Sequence, residues 1–138
     1  MSAKTFVDSN VLIYAYDSKV PGKQAKAQAA LRVLWAEQTG VLSMQVLQEF
    51  YITVTRKIQQ PLAREIARLV IQSYSVWCVP ANPEDILAAF RIEDRSKLSF
   101  WDSLILASAS RSGADRLLSE DLNSGQTVEG VRIENPFL

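Results

Sequence analysis

The chain contains no histidine. That absence removes the Ser-His-Asp and Cys-His devices of nucleophilic catalysis. It has one cysteine, Cys78, so no internal disulfide can form, which fits a reducing cytosol. The neighbours Trp77 and Val79 read that cysteine as a buried strand residue, not a reactive thiol. No apolar run approaches the ~20 residues that a membrane helix needs. No basic-then-apolar leader pattern opens the chain. These absences predict a soluble, cytoplasmic protein. There is no G-x-x-x-x-G-K-[ST] or G-x-G-x-x-G motif, so no P-loop or dinucleotide fingerprint organises the fold. Internal repeats, linkers and low-complexity segments are also missing. Charge of one sign is not in excess: Lys+Arg is 15 and Asp+Glu is 15.

What is present is an ordinary globular composition. Hydrophobic residues make up 48% and charged residues 22% of 138, enough for one domain with a proper core. Short β-rich runs alternate with helical patterns. Thr5 to Val7, Val41-Leu42, Ser75 to Val79, Arg116 to Leu118 and Val131 to Ile133 read as strands. Val11 to Tyr16, with Asn10 as N-cap, reads as a helix. Lys23 to Gln38 follows a break at Pro21-Gly22 and is ended by Gly40. The next helix starts from a Ser43 cap and carries Val46, Leu47, Phe50, Tyr51 and Val54 on one face. Ala63 to Tyr74 and a segment opened by Pro83 are helical too. A strongly apolar helix starts at Ser99 or Asp102 and stops at Gly113. Alternation of this kind predicts an α/β fold: a central parallel sheet of about five short strands flanked by helices.

Four acids then stand out. They are Asp8 after the first strand, Glu49 among Val46, Leu47 and Phe50, Asp102 in Trp101-Asp102-Ser103-Leu104-Ile105, and Asp121 after Leu118-Ser119-Glu120. Each has a bland alternative. Asp8 and Asp121 suit turns, Glu49 suits the border of an amphipathic face, and Asp102 suits an early-helix position favoured by the macrodipole. Asp102 is nevertheless the only charge between Lys97 and Arg111, in a helix apolar almost all round, which places it inside. Open parallel sheets gather ligands beyond the carboxyl ends of their strands. That edge would collect all four acids. Buried, mutually repelling carboxylates need a cation. Oxygen-only ligands select a hard one, Mg²⁺ or Mn²⁺.

The motifs Phe6-Val7-Asp8-Ser9-Asn10-Val11-Leu12, Gln48-Glu49-Phe50, Phe100-Trp101-Asp102-Ser103-Leu104-Ile105 and Leu118-Ser119-Glu120-Asp121-Leu122 appear in this order. So ordered, they resemble the acidic motifs of PIN-domain ribonucleases, and more narrowly VapC-type toxins of toxin–antitoxin pairs. The closing Val131-Arg132-Ile133-Glu134-Asn135-Pro136-Phe137 is similar to the end of that family. The resemblance spans essentially the whole chain and implies a single PIN domain over 1–138, a three-layer sandwich. It implies an endoribonuclease, an RNA substrate, a cognate antitoxin partner and a homodimer.

The residues support the corresponding chemistry, in which metal-activated water attacks a phosphodiester. Asp8 and Asp102 are the expected principal ligands. Asp121 is expected to complete the metal shell or hold a ligating water, and Glu49 to orient or deprotonate the attacking water. Asn10 and Ser119 hydrogen-bond and orient those carboxylates. With the four acids neutralised, 15 basic residues face 11 acids, so zero net charge does not argue against a polyanion. Lys19, Lys23 and Lys26, then Arg56, Lys57 and Arg64, then Arg91, Arg95 and Lys97 are the candidate phosphate contacts. Leu34, Trp35, Leu69 and Val70 are expected to line a groove for an antitoxin helix. Two rivals remain open. One is an Mg-dependent phosphotransfer or receiver-like domain with Asp8 as acceptor, although Asn10, Leu12, Lys4 and Thr5 do not match what such sites want. The other is a non-catalytic binding module that uses its three Trp, four Tyr and five Phe as contacts.

Overall fold

A computed structural model describes residues 3–138. Five short strands form one sheet: β1 (Lys4–Val7), β2 (Gly40–Val41), β3 (Ala114–Leu118), β4 (Thr127–Val128) and β5 (Val131–Glu134). Their order is β2-β1-β3-β5-β4. β1 lies parallel to both β2 and β3, and β3 lies parallel to β5. Only β4 runs antiparallel, at the edge beside β5. Six helices flank the sheet: α1 (Ser9–Tyr14), α2 (Pro21–Glu37), α3 (Met44–Arg56), α4 (Arg64–Tyr74), α5 (Pro83–Ser96) and α6 (Phe100–Arg111). The α/β expectation therefore holds.

Local chemistry explains most boundaries. Ser43 caps α3 by accepting from Val46 N, and Ser99 caps α6 by accepting from Asp102 N. Asn82 and Asp85 form a reciprocal capping box around Pro83 at the start of α5. Phe6, Val7, Leu117 and Ile133 of the sheet are fully buried, as are Val11, Leu12, Phe50, Ile92, Ile105 and Leu106 from the helices. α6 packs on β3 and β5, and α5 packs on α6. That central position is what an all-round apolar helix requires.

Several expectations are corrected. Asn10 does not cap the first helix; Asp8 does, and the helix ends at Tyr14. Pro21 and Gly22 do not break the chain but form the first turn of α2, where proline's missing N–H costs nothing. The expected strand at Ser75 to Val79 is a 3₁₀ turn over Ser75–Trp77, followed by one bridge between Cys78 and Leu42. Val76 there is solvent-exposed, and Cys78 is half-buried. β4 lies in a stretch where the sequence predicts no strand. A two-residue turn, Glu129-Gly130, with φ of 50° and 77°, joins it to β5. Positive φ at both positions is the hairpin geometry that Asn-Gly normally signals, and Glu-Gly hides it. Gly40 does not end α2 either. It lies in β2, where an added Cβ would meet the Trp77 ring at 2.6 Å.

The topology positions the site. From β1 the chain moves to one side to form β2, then returns past β1 to form β3 on the other side. The carboxyl ends of β1 and β3 are thus the point where the winding reverses, the usual place for a crevice in an open α/β sheet.

Candidate active site

The first two acidic motifs to meet are those of β1 and β3. Their strands are adjacent and in register, with Val7 opposite Leu118, so Asp8 and Ser119 leave the sheet side by side. The Asp8 amide donates to Leu118 O at 3.0 Å. Asp8 is only 5% exposed. One carboxylate oxygen accepts from Ser9 N at 2.7 Å. The other accepts from Ser119 Oγ at 2.7 Å and from Asn10 Nδ2 at 3.4 Å.

Asn10 and Ser119 tie Asp8 to Asp121. Asn10 Nδ2 lies 3.0 Å from Asp121 Oδ2 and 3.3 Å from Ser119 Oγ. Asn10 Oδ1 accepts from Glu120 N at 3.1 Å, and Ser119 Oγ accepts from Asp121 N at 3.2 Å. One amide and one hydroxyl therefore hold the loop after β3 against the start of α1. These hydrogen bonds fix how the Asp8 and Asp121 carboxylates are turned.

Glu49 and Asp102 approach from helices. Asp102 sits in the first turn of α6, where the helix N-terminus favours an anion, and Glu49 sits in the second turn of α3. The four carboxylates feel one another. Burial pushes the Asp8 carboxyl up to about 6, against the hydrogen bonds from Ser119 and Ser9, with Glu49 and Asp121 adding to the rise. Partial burial, then Asp102 and Asp121, raise Glu49. Partial burial and Asp121 raise Asp102. Asp8, Glu49 and Asp102, each holding its proton more tightly than usual, belong to a cluster that a cation would relieve.

The expectation of four buried acids is corrected in one respect. Only Asp8 is deeply buried. Asp102 is half-buried, and Glu49 and Asp121 are exposed at the rim. An N-terminal helix position lies at the sheet edge however apolar the rest of the helix is. Conversely, Asp17 and Asp85 are buried without belonging to the site. Asp17 accepts from Lys19 N at 3.1 Å in a turn. Asp85 is paired with Arg111, which also donates to Pro80 O.

Among the described residues, no three His, Cys, Asp or Glu side chains already enclose a metal-sized position. The donor set still suits one. It is all oxygen, clustered, like-charged and preformed by Asn10 and Ser119 around its deepest member. Lys23 lies beside this rim. It pairs with Glu120 and lies 4.7 Å from the Tyr14 ring centre and 5.6 Å from that of Phe137. Arg56, Lys57, Arg64, Arg91, Arg95 and Lys97 are exposed.

The expected partner groove is also redrawn. Leu34 and Val70 belong to the core, and Trp35 packs edge-on to Tyr74 and at a tilt against Trp77. Of that set only Leu69 stands well out. A broader apolar hollow of about 760 Å³ lies between α3 and α4, lined by Met44, Leu47, Tyr51, Ile52 and Ile71.

A family model described as PIN domain matches residues 5–127. By sequence, none of the curated proteins matches the chain. Solved structures do match in fold. A toxin–antitoxin complex from Klebsiella pneumoniae aligns with a TM-score of 0.70 and 17% identity, over 98% of each chain. FitAB bound to an IR36 DNA fragment aligns at 0.70 and 16%, over 97% of this chain and 96% of that one. VapC20 of Mycobacterium tuberculosis, a sarcin–ricin loop cleaving toxin, aligns at 0.64 and 16%, over 91% and 98%.

Proposed function

The chain belongs to the PIN-domain family, and from that premise we propose that it is an Mg²⁺- or Mn²⁺-dependent endoribonuclease acting as the toxin of a toxin–antitoxin pair. The observation that carries this reading is Asp8. A carboxylate 5% exposed, tied through Asn10 and Ser119 to Asp121, and raised further by Glu49 is poorly placed to be charged by itself. Cation binding would offset the cost of holding such a cluster ionised.

Asp8 and Asp102 would hold the cation, with Asp121 and Glu49 completing or bordering its shell. When bound, a divalent ion supplies Lewis acidity, lowering the pKa of water and neutralising charge on the leaving oxygen. The chain's own groups do the rest. Ser119 Oγ and Ser9 N each hold one Asp8 oxygen, which fixes the carboxylate plane. Asn10 keeps Asp121 turned toward Asp8. Glu49, exposed at the rim and pushed up by its surroundings, is the group able to accept a proton from an attacking water. Lys23, paired with Glu120 beside the rim, would be the cation to meet a phosphate of an incoming strand.

Two solved structures similar in fold are described as a toxin–antitoxin complex and as a toxin, and this supports the toxin reading. The hollow between α3 and α4 offers an antitoxin helix an apolar seat. A second copy of the chain is the other expected partner.

The test is RNA cleavage by the purified protein with Mg²⁺ or Mn²⁺ and with chelator. Asp8→Asn and Asp102→Asn should each lower cleavage by at least about 100-fold, roughly the scale on which positioned acid–base and charge-stabilising groups contribute. Both variants should stay folded. Wild-type-like cleavage in either one rejects the site.

A further inference from the structure

A groove of about 540 Å³ opens beside the acidic cluster, between the starts of α3 and α6 and the loop before α5. One wall is Trp101, 61% exposed and immediately before Asp102. Its indole is held in place, edge-on to Phe100 with ring centres 5.2 Å apart, and Phe100 in turn lies 6.0 Å from Phe90. The facing wall carries Gln45, one helical turn before Glu49.

Gln45 has an unfinished hydrogen-bond inventory. Its Nε2 donates toward Trp101 O at 3.5 Å, and its side chain also reaches Glu49. Both neighbours are acceptors, so flipping the amide would set oxygen against oxygen. The orientation is therefore decided, and Oε1 is left buried with no partner. Native interiors rarely leave a buried carbonyl oxygen unpaired, and a ligand donor is one way to complete it.

We infer that this groove is a nucleobase subsite, in which Trp101 stacks on the base next to the cleaved phosphate and Gln45 Oε1 accepts an N–H from that base's edge. The inference rests on the nuclease reading and names how that site would hold its strand. A base is the occupant whose chemistry matches both walls. It offers a π face for the indole and in-plane N–H donors for the orphan oxygen. An apolar side chain would cover Trp101 and leave Gln45 unpaired. The groove meets the acidic cluster through Gln45, which lines it and reaches Glu49 one helical turn on. A base seated there would set which phosphate reaches the carboxylates.

The experiment uses Asp8→Asn protein in Mg²⁺, so that RNA is bound but not cut. Fluorescently end-labelled oligoadenylate and oligouridylate hexamers are titrated, with anisotropy giving the Kd of every variant and tryptophan fluorescence followed alongside. Quenching is expected, and oligoadenylate should bind more tightly because the purine face is larger. Adding Trp101→Ala should raise the Kd for oligoadenylate about 10-fold or more, within the range measured for base–aromatic stacking. It should also flatten the preference between the two hexamers. Trp101→Phe should restore most of both. Gln45→Met, similar in shape but lacking the acceptor, should weaken binding several-fold while the protein still unfolds in one cooperative transition.

Unchanged affinity and preference in Trp101→Ala would overturn the inference. So would a change confined to oligomeric state, since the indole would then be a protein contact. If Trp101→Ala folds poorly, quenching of the folded parent and the Trp101→Phe comparison still decide the matter. Wild-type cleavage with the same kcat/KM on both hexamers before and after Trp101→Ala rejects only the base subsite. Absence of both cleavage and binding in the wild type rejects the nuclease reading itself.

Discussion

Replacing Asp8 by asparagine should stabilise the metal-free protein at neutral and alkaline pH while destroying its activity. The Asp8 carboxyl rises from 3.8 to about 6 on folding, chiefly through burial. A rise of about two units corresponds to roughly 3 kcal/mol of folding free energy lost when Asp8 ionises, at about 1.4 kcal/mol per unit. Because the folded value lies above the unfolded one, protonation favours the folded state. The full benefit exists below about pH 4, fades as pH rises toward about 6, and is gone above it. In Asp8→Asn the side chain has no charge to bury, but its amide nitrogen would face the Asn10 and Ser119 donors. Losing one such hydrogen bond costs about 1 kcal/mol. The net gain is then about 1–2 kcal/mol, or roughly 3–8 °C in Tm for a domain of this size.

The assay is thermal unfolding in chelator from about pH 4 to about pH 8, for wild type and Asp8→Asn, a window that brackets the folded and unfolded values of the carboxyl. The wild-type Tm should fall across this window and the variant's should fall less. Some slope should persist in the variant, because Glu49 and Asp102 are raised too and have the same sign. Added Mg²⁺ at the alkaline end should lift the wild type more than the variant, since a ligand stabilises only the state that binds it. The reasoning is refuted if the variant melts below the wild type at that end in chelator. A wild-type Tm indifferent to pH across the acidic half of the window refutes it as well.

Three further outcomes are expected. Cleavage at fixed, sub-saturating Mg²⁺ should drop as pH is lowered through about 6, where Asp8 takes up a proton, and raising the metal concentration should move the fall to lower pH; pH–rate profiles at two metal concentrations check this. Gly40→Ala should destabilise by about 1–3 kcal/mol or prevent folding, because its Cβ would lie 2.6 Å from a Trp77 ring atom; Trp77→Leu in the same chain should recover part of the loss in urea unfolding. Arg111→Met should cost roughly 1–3 kcal/mol by leaving the buried Asp85 carboxylate without its cation, and Arg111→Met with Asp85→Leu should be less destabilised than the single variant.

Much of the fold was readable because its signals are local. Period-two and period-3.6 patterns marked the longer elements, and Ser43, Ser99 and Pro83 announced helix starts that the backbone confirms. Short or weakly patterned pieces were not. The Ser75–Trp77 turn carries strand-like residues, but it lies directly after α4 and only Cys78 reaches an isolated bridge with Leu42. β4 has two residues and a Glu-Gly turn that lacks the usual composition. Gly40 reads as a helix stop until Trp77 is seen against it.

The site divides in the same way. Sequence determined the identities: four acids in order, Asn10 two residues after Asp8, Ser119 two before Asp121, and no histidine to offer another mechanism. It also determined that Asp8 follows a strand and that Asp102 opens a helix. Only the tertiary structure decided that Asp8 is the single deeply buried acid of the four, that Asn10 and Ser119 bridge it to Asp121, and that Asp85 belongs to an ion pair elsewhere. The reason is that burial and hydrogen-bond partners depend on strands far apart in the chain, such as β1 and β3. Residue type and spacing specify a side chain's chemistry, but its pKa and its partners come from what the rest of the chain places around it.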